Sequence, residues 1–322
     1  MTAPSTRTLM FVPVFASLVA CGGSDNDGRS VREEPLTLDP QGYANRAAVI
    51  RSLSDFESVD RTYEDMAAVY RLLDEAEAAL MALAEAPPTG DDSESDVNLG
   101  QRACDEDRNN LLIQRTELAD GGFIAQFDFD DCRLTIESGE LELTGFIQLE
   151  RRVSGTDLQI SESYGLTGSV FPGGAELGLN GTLSASVNAT GDDTLTIAVK
   201  SRTLEFLYGS RYAAFRDADI LVQQTGEQVT LDVSTQLIGS FLQGYLNLST
   251  PETVTGDLSG SCPERGHLRA VGDGTLDLRF GTSTARGTGS ELLVNGSDVE
   301  FSDSCPSVLP VPSASLLFLI SK

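Results

Sequence analysis

The chain has 322 residues, enough for one large domain or two ordinary ones with a well-filled core. It carries 49 Asp and Glu against 22 Lys and Arg, so its formal net charge is −27. Such a surface repels phosphate backbones, which excludes a nucleic-acid-binding protein. The chain has one His and no Trp, so the common histidine-based catalytic and metal sites are nearly excluded.

Residues 1–20 have the order of a secretory signal peptide. Arg7 precedes an apolar run that begins at Leu9, and the stretch is too short for a comfortable membrane span. Its end, Leu18-Val19-Ala20-Cys21, resembles the lipobox of bacterial lipoprotein precursors. The resemblance implies that the signal is cut before Cys21, that Cys21 is diacylated on sulfur, and that its new amine is acylated. Gly22 follows instead of Asp, and the family's sorting rule then favours the outer membrane of a Gram-negative cell. The resemblance covers about the first two dozen residues and implies no activity.

The remaining cysteines predict two disulfides. Removing Cys21 leaves four in an oxidising compartment: Cys104, Cys132, Cys262 and Cys305. Three pairings are open, and Cys104–Cys132 with Cys262–Cys305 is favoured because each pair brackets one local strand-and-turn unit. No C-x-x-C or Cys/His spacing supports a metal site, so we expect neither a metal nor a cofactor.

Three segments precede the predicted β domain. Residues 21–40 are polar and turn-rich, which predicts a flexible tether that carries the lipidated Cys. Residues 41–86 predict a helical segment, because apolar side chains recur three and four apart from Met66 to Leu83 and Pro87 ends the pattern. Packing of this seam on the β domain is favoured over self-association. Residues 87–103 predict an extended acidic linker.

Residues 104–306 predict an antiparallel β domain. Apolar and polar side chains alternate in runs such as 195–199, 229–233 and 276–280, and short Gly-rich turns separate the runs. Connections of two to five residues indicate hairpins instead of crossover helices. We therefore expect a mainly β fold: a large antiparallel β-meander (a sandwich, half-barrel or clam) preceded by an N-terminal α-helical segment. Residues 307–322 predict an apolar C-terminal strand or tail.

Residues that could carry chemistry are sparse. No Gly-x-Ser-x-Gly motif accompanies His267, which we expect to be a surface or strand-edge residue. The acidic residues at 105–107 and 128–131 would approach one another if Cys104 pairs with Cys132, and a cation would then offset their repulsion. Any acidic β protein offers similar pairs, so we predict no catalytic residue and no metal ligand.

These patterns predict a non-enzymatic envelope lipoprotein, a membrane-anchored β scaffold for binding or structural support. It would be lipid-anchored in the outer membrane and face the periplasm or the cell surface. The alternative is a periplasm-facing carrier that holds an acyl chain or another apolar ligand in a curved β-sheet. A cavity lined by Leu, Ile, Val and Phe would favour the carrier, whereas a filled core would favour the scaffold. The expected partners are the membrane, through the lipid anchor, and a protein partner or an apolar ligand.

Overall fold

A computed structural model describes residues 42–85, 104, 111–190, 194–257, 263–284 and 287–302. The described chain consists of a short 3₁₀ helix (Tyr43–Asn45), one α-helix, α1 (Ser54–Glu85), and a single sheet. The strands in chain order are β1 (Leu111–Glu117), β2 (Phe123–Ile136), β3 (Gly139–Ser154), β4 (Asp157–Phe171), β5 (Ala175–Thr190), β6 (Thr194–Tyr208), β7 (Arg211–Thr225), β8 (Gln228–Gly239), β9 (Gly244–Asp257), β10 (Arg265–Val271), β11 (Thr275–Thr284), β12 (Gly287–Val294) and β13 (Ser297–Ser302).

The sheet is an uninterrupted antiparallel meander. Each strand pairs with its neighbours in sequence, so the spatial order runs from β1 to β13 without a crossover. The predicted mainly β meander with a preceding helix is confirmed. A sandwich would need two sheets, whereas the described strands all belong to one sheet with β1 and β13 at its two edges.

Helix α1 packs on one face of this sheet, which we call the inner face. Its buried side chains recur three and four apart, as an amphipathic helix requires: Val59, Tyr63, Met66, Val69, Tyr70, Leu73, Ala76 and Leu80. Near the start of the helix, the Asp55 carboxylate accepts hydrogen bonds from the backbone N–H groups of Arg51 and Ser52. Burial alone would raise the pKa of Asp55, but these hydrogen bonds hold it below its usual value. No helix within the described ranges combines the length and the apolar character that crossing a membrane requires.

The helix crosses the strands at one end of the sheet, which we call the near end. The β2–β3, β4–β5, β6–β7, β8–β9, β10–β11 and β12–β13 turns lie there. At the β2–β3 turn, Ser138 N–H donates to the Glu75 carboxylate at 2.8 Å. At the start of β7, Arg211 pairs with Asp65 at 2.7 Å. The opposite end of the sheet, the far end, carries the described β1–β2, β3–β4 and β7–β8 turns.

Residues 46–50 form an extended segment that we call the N-terminal strap. The predicted helical segment began at residue 41, but these residues hydrogen-bond to near-end turns instead. Ala48 N–H donates to the Tyr245 carbonyl at 2.8 Å, and its own carbonyl accepts from Asp273 N–H at 2.8 Å. Gly272 permits this approach, because a Cβ there would lie 2.2 Å from the Ala48 carbonyl oxygen. Before the strap, Tyr43 packs on the other, outer face of the sheet, so the chain passes around the near end and enters α1 on the inner face.

Candidate functional site

Two of the predicted disulfide cysteines lie in the described residues, and the structure joins them. Cys104 and Cys132 form a disulfide with their Cα atoms 5.1 Å apart, the nearest-neighbour pairing that the sequence favours. Cys132 is fully buried in β2. The predicted lipidation site Cys21 and the second predicted pair, Cys262 and Cys305, lie outside the described residues.

The acidic residues beside this disulfide are only partly described. Residues 105–107 lie outside the described ranges. On β2, Asp131 accepts a hydrogen bond from Thr144 Oγ1 at 2.7 Å, and Asp128 accepts one from Gln126 Nε2 at 2.8 Å. Within the part of the chain that the structure describes, no group of three or more His, Cys, Asp or Glu side chains could hold a metal ion. The approach of the two acidic clusters therefore stays a prediction.

The near half of the inner face is a filled core. The Tyr70 ring of α1 lies 5.2 Å from the Phe206 ring of β6, and Phe206 in turn meets the Phe215 ring of β7 edge-on at 6.4 Å. Leu73 and Leu80 of α1 are 1% and 0% exposed. One continuous hydrophobic cluster joins α1 to residues of β1 through β12. The helix therefore occupies the place that a ligand would take in this half of the sheet.

The far half of the inner face carries aliphatic side chains in two rows, which we call the aliphatic strip. Directly paired residues on adjacent antiparallel strands point to the same face, so the strand register defines each row. The first row runs from β4 to β8 through Ile160, Ala185, Val199, Ile220 and Val233. The second row runs from β4 to β9 through Leu158, Val187, Ile197, Val222, Leu231 and Val254.

Four residues of the aliphatic strip, Val199, Ile220, Val222 and Val233, form a hydrophobic cluster of their own. The strip also touches the helix core, because Val254 belongs to that core and Leu231 packs against both clusters. Val199, Ile220 and Val233 are 2%, 3% and 4% exposed. The partly buried side chains packed against them, such as Ile197 and Leu231, lie on β5, β6 and β8, and no described residue of α1 belongs to the cluster. Strip residues such as Ile160 and Val187 keep partial exposure. The strip is therefore largely buried along β6 to β8 and only partly exposed on β4 and β5.

Charged side chains border the strip on β1 and β3. Arg151 pairs in register with the core residue Phe123 on one side and with Ile160 of the strip on the other, so it too faces inward. The Arg115 guanidinium stacks on the Phe123 ring at 4.6 Å and pairs with Glu117 at 2.7 Å. On β3 the first row of the strip therefore meets the inward-facing Arg151, whereas the second row continues to Val153.

A second polar cluster lies on the outer face and contains the single His. His267 Nε2 on β10 lies 2.6 Å from Asp277 Oδ1 on β11, and Arg269 Nε donates to the same oxygen at 2.6 Å. The side chains of His267 and Asp277 are 13% and 7% exposed. Burial alone would raise the pKa of Asp277, but the hydrogen bonds from Arg269 and His267 outweigh it and lower that pKa. The expectation of a surface or strand-edge His is wrong, because β10 is an internal strand and the side chain is largely buried.

The outer face also has a shallow groove at the far end, across β3 to β6. It encloses about 300 Å³, and its lining includes Ser161, Ser184 and Ser186 between Arg152 and Lys200. Arg152 pairs with Glu150 at 2.5 Å, and Lys200 pairs with Asp219 at 3.3 Å. This outer groove presents hydroxyl groups and charges to solvent, in contrast to the apolar inner face.

The sequence pattern predicts some of the strands that carry the strip, but not the alignment of their aliphatic residues into rows. The alternation around Ile197 and around Leu231 predicted strands with one buried face. The register that aligns these residues across six strands has no signal in the sequence. Nor does the sequence indicate that Asp277, ten positions away, is the partner of His267.

Comparisons with known proteins add no family to this description. No family model matches the chain, and neither a curated protein nor a solved structure matches it.

Proposed function

We propose that the protein is a non-enzymatic envelope lipoprotein, a β scaffold held at the membrane by acyl chains on Cys21. The observation that carries this proposal is the filled near half of the sheet, where α1 packs its whole buried seam on the strands. A helix packed in this way makes the sheet a rigid platform instead of an open container. The N-terminal strap fastens the same end, because Asn295 Nδ2 also donates to the Ile50 carbonyl at 3.0 Å.

The outer face is the surface that such a scaffold would present. Its far-end groove offers side-chain hydroxyl groups between two cations, Arg152 and Lys200. Long antiparallel strands hold these side chains in fixed register, so a partner would meet a preorganised surface. The hydroxyl and charged side chains of this mixed lining, which also includes Ala185 and Ala198, favour a protein partner at this position.

The anchor is tested by the mass of the protein purified from membranes. A mature chain that begins at Cys21 and carries three acyl groups supports the proposal. Its other four cysteines should not react with a thiol-alkylating reagent, because they should be paired in disulfides. A full-length Cys21→Ser variant serves as the control and should carry no acyl mass. A wild-type chain that keeps residues 1–20 or has an unmodified Cys21 would contradict the proposed anchor.

The carrier is the second candidate, and the aliphatic strip is the observation that favours it. Its eleven aliphatic side chains lie in two adjacent rows, and the members on β4 and β5 keep partial exposure. A carrier would use this half of the inner face while α1 stabilises the other half. Native mass spectrometry of the membrane-purified protein tests this candidate. An additional lipid-sized mass that is retained without covalent attachment supports the carrier. A mass that corresponds to the protein without any bound ligand supports the scaffold and contradicts the carrier.

A further inference from the structure

We infer that residues 34–41 of this chain cross the near half of the outer face and dock on a row of buried side chains around Asn180. Such docking goes beyond the proposed anchor, because it fixes where the predicted tether leaves the sheet. It does not depend on the acylation of Cys21.

The row, which we call the outer row, runs in register across five neighbouring strands. Ala214 of β7 pairs with Glu205 of β6, and Glu205 pairs with Asn180 of β5. Asn180 pairs with Gly165 of β4, which pairs with Phe146 of β3. Directly paired residues share a face, and Ala214 belongs to the outer-face cluster on which the 3₁₀ helix packs. All members of the row are buried, so the outer row is a buried band on the face opposite to α1.

The Asn180 side chain lacks a hydrogen-bond partner within the described ranges. It is 1% exposed, and neither its Nδ2 nor its Oδ1 atom is bonded. Thr182, the next outer-face residue of β5, is exposed. Buried polar groups in folded proteins are nearly always paired, so we expect the group that covers Asn180 to offer both an acceptor and a donor. The carbonyl and N–H groups of an extended chain offer both.

The chain itself arrives at one end of the outer row. Tyr43 packs on a cluster that includes Tyr212 and Ala214, and the Tyr212 hydroxyl donates to Glu205 at 2.8 Å. The residues before Gly42 therefore start beside the row. The C-terminal segment, by contrast, follows β13, which lies six strands from β7. A short connection costs less loop-closure entropy than a long one, so the segment directly before Gly42 is the favoured occupant.

The length of this segment matches the outer row. From Ala214 to Phe146 the register crosses four strand spacings, or about 19 Å at about 4.8 Å each. Six extended residues span about 20 Å at about 3.3 Å per residue. Residues 36–41 therefore reach from the Tyr43 end of the row to β3.

The sequence of the segment favours an extended chain with one apolar side. Pro35 and Pro40 are unfavourable inside a helix and bias the residues before them towards extended conformations. Leu36 and Leu38 are two positions apart, so in an extended chain both face the row. Asp39 then faces solvent, so the buried row gains no additional carboxylate.

The docked segment changes where the tether leaves the molecule. It shortens the predicted tether of residues 21–40 to residues 21–33. The chain then leaves the sheet at β3 instead of beside Tyr43, and an anchor at Cys21 holds the β3 side of the outer face.

The first experiment compares the thiol reactivity of two cysteine substitutions in the purified full chain, whether or not Cys21 is acylated. Leu38→Cys should react with a thiol reagent at least about tenfold more slowly than Thr37→Cys, because position 38 faces the row and position 37 faces solvent. Mass spectrometry of the labelled peptide identifies the reacting site, so reaction of other cysteines is not counted. In concentrated urea the two rates should be equal, which controls for the intrinsic reactivity of each thiol.

The second experiment tests Asn180 with a matched pair of variants. Asn180→Ala in the Leu38→Cys chain should accelerate its labelling at least about fivefold, because the docked segment loses its hydrogen bonds to the amide. Thr182→Ala, on the same face of the same strand, is the control and should leave the rate unchanged. The urea midpoint of each variant shows whether the sheet stays folded.

Three results would overturn the proposal. Equal labelling rates of Leu38→Cys and Thr37→Cys in the folded chain would show that the segment does not dock. An unchanged Leu38→Cys rate in Asn180→Ala, with a raised urea midpoint, would show that Asn180 is buried without a partner and does not hold the segment. Fast labelling of Leu38→Cys, with labelling of Leu317→Cys accelerated by Asn180→Ala, would make the C-terminal segment the occupant. These assays do not require membrane attachment, so a failed anchor leaves their outcome unchanged.

Discussion

Asp277→Asn tests how much the outer-face charge cluster stabilises the sheet. The hydrogen bond between His267 and Asp277 involves two largely buried side chains, and such a bond to a charged group contributes about 1.5–3 kcal/mol. The Arg269 side chain is 40% exposed, so solvent screening limits its share to about 1 kcal/mol or less. We expect the substitution to lower the free energy of unfolding by about 2–3 kcal/mol above pH 5.

The assay is urea denaturation of both proteins between pH 3 and pH 5.5. The folded-state pKa of Asp277 is lowered, so its stabilisation is fully present above the unfolded value of about 3.9 and is lost as the pH falls through the folded value. The wild-type protein should therefore lose stability towards pH 3 more steeply than the variant does. The gap between their urea midpoints should be smaller at pH 3 than at pH 5.5.

A constant gap between the two midpoints across this range would refute the reasoning, because the stabilisation would then not depend on the charge of Asp277. An unchanged midpoint at pH 5.5 would show that water replaces both hydrogen bonds at no cost. Asp273→Asn, an exposed neighbour in the preceding turn, is the control and should leave the midpoint within about 0.5 kcal/mol of the wild-type value.

Three further substitutions probe the rest of the framework. Asp65→Asn should change the stability in the opposite direction. Burial raises the pKa of Asp65 more than Arg211 lowers it, so ionisation of Asp65 destabilises the folded protein as the pH rises through the folded-state pKa. The variant should have a higher urea midpoint than wild type at pH 7 and an equal one at pH 3, and a lower midpoint at pH 7 would contradict this. Gly272→Ala forces a Cβ against the Ala48 carbonyl of the strap and should lower the free energy of unfolding by more than about 2 kcal/mol. Gly209→Ala, with open space around its Cβ, is the control and should lower it by about 1 kcal/mol. Equal decreases of the melting temperature in the two variants would exclude the clash. Cys104→Ser opens a 28-residue separation and should cost about 3.5 kcal/mol under non-reducing conditions, with no difference from wild type once both are reduced.

The meander was predictable because its signals are local. Period-two alternation, Gly-rich turns and short connections together specify neighbouring antiparallel strands. The helix was predictable for the same reason, since its apolar spacing and Pro87 lie within one continuous segment. The strap was not: residues 46–50 are extended because of hydrogen bonds to turns some 200 residues later, such as the bond from Ala48 to Tyr245.

The candidate site lay beyond sequence reasoning because irregular positions change which side chains face inward. On β7, the inner residues Ala213 and Phe215 are odd-numbered, but Ala218 and Ile220 are even-numbered. The change falls at Asp217, which has φ 48°, where the register with β8 also shifts. A one-residue irregularity moves all later side chains to the other face, so alternation alone could not assign the far half of the strand.

The N-terminal strap also sets a limit on the order of folding, because its partners lie near the other end of the described chain. The bond from Asn295 to Ile50 spans 245 residues, and at about 5–20 residues per second the ribosome needs roughly 10–50 s to cover that distance. Until then the strap lacks the last of the turns that fasten it, because the turns at Tyr245 and Asp273 come earlier in the chain. The leading end of the chain is therefore fully fastened only when the last hairpins of the sheet have formed.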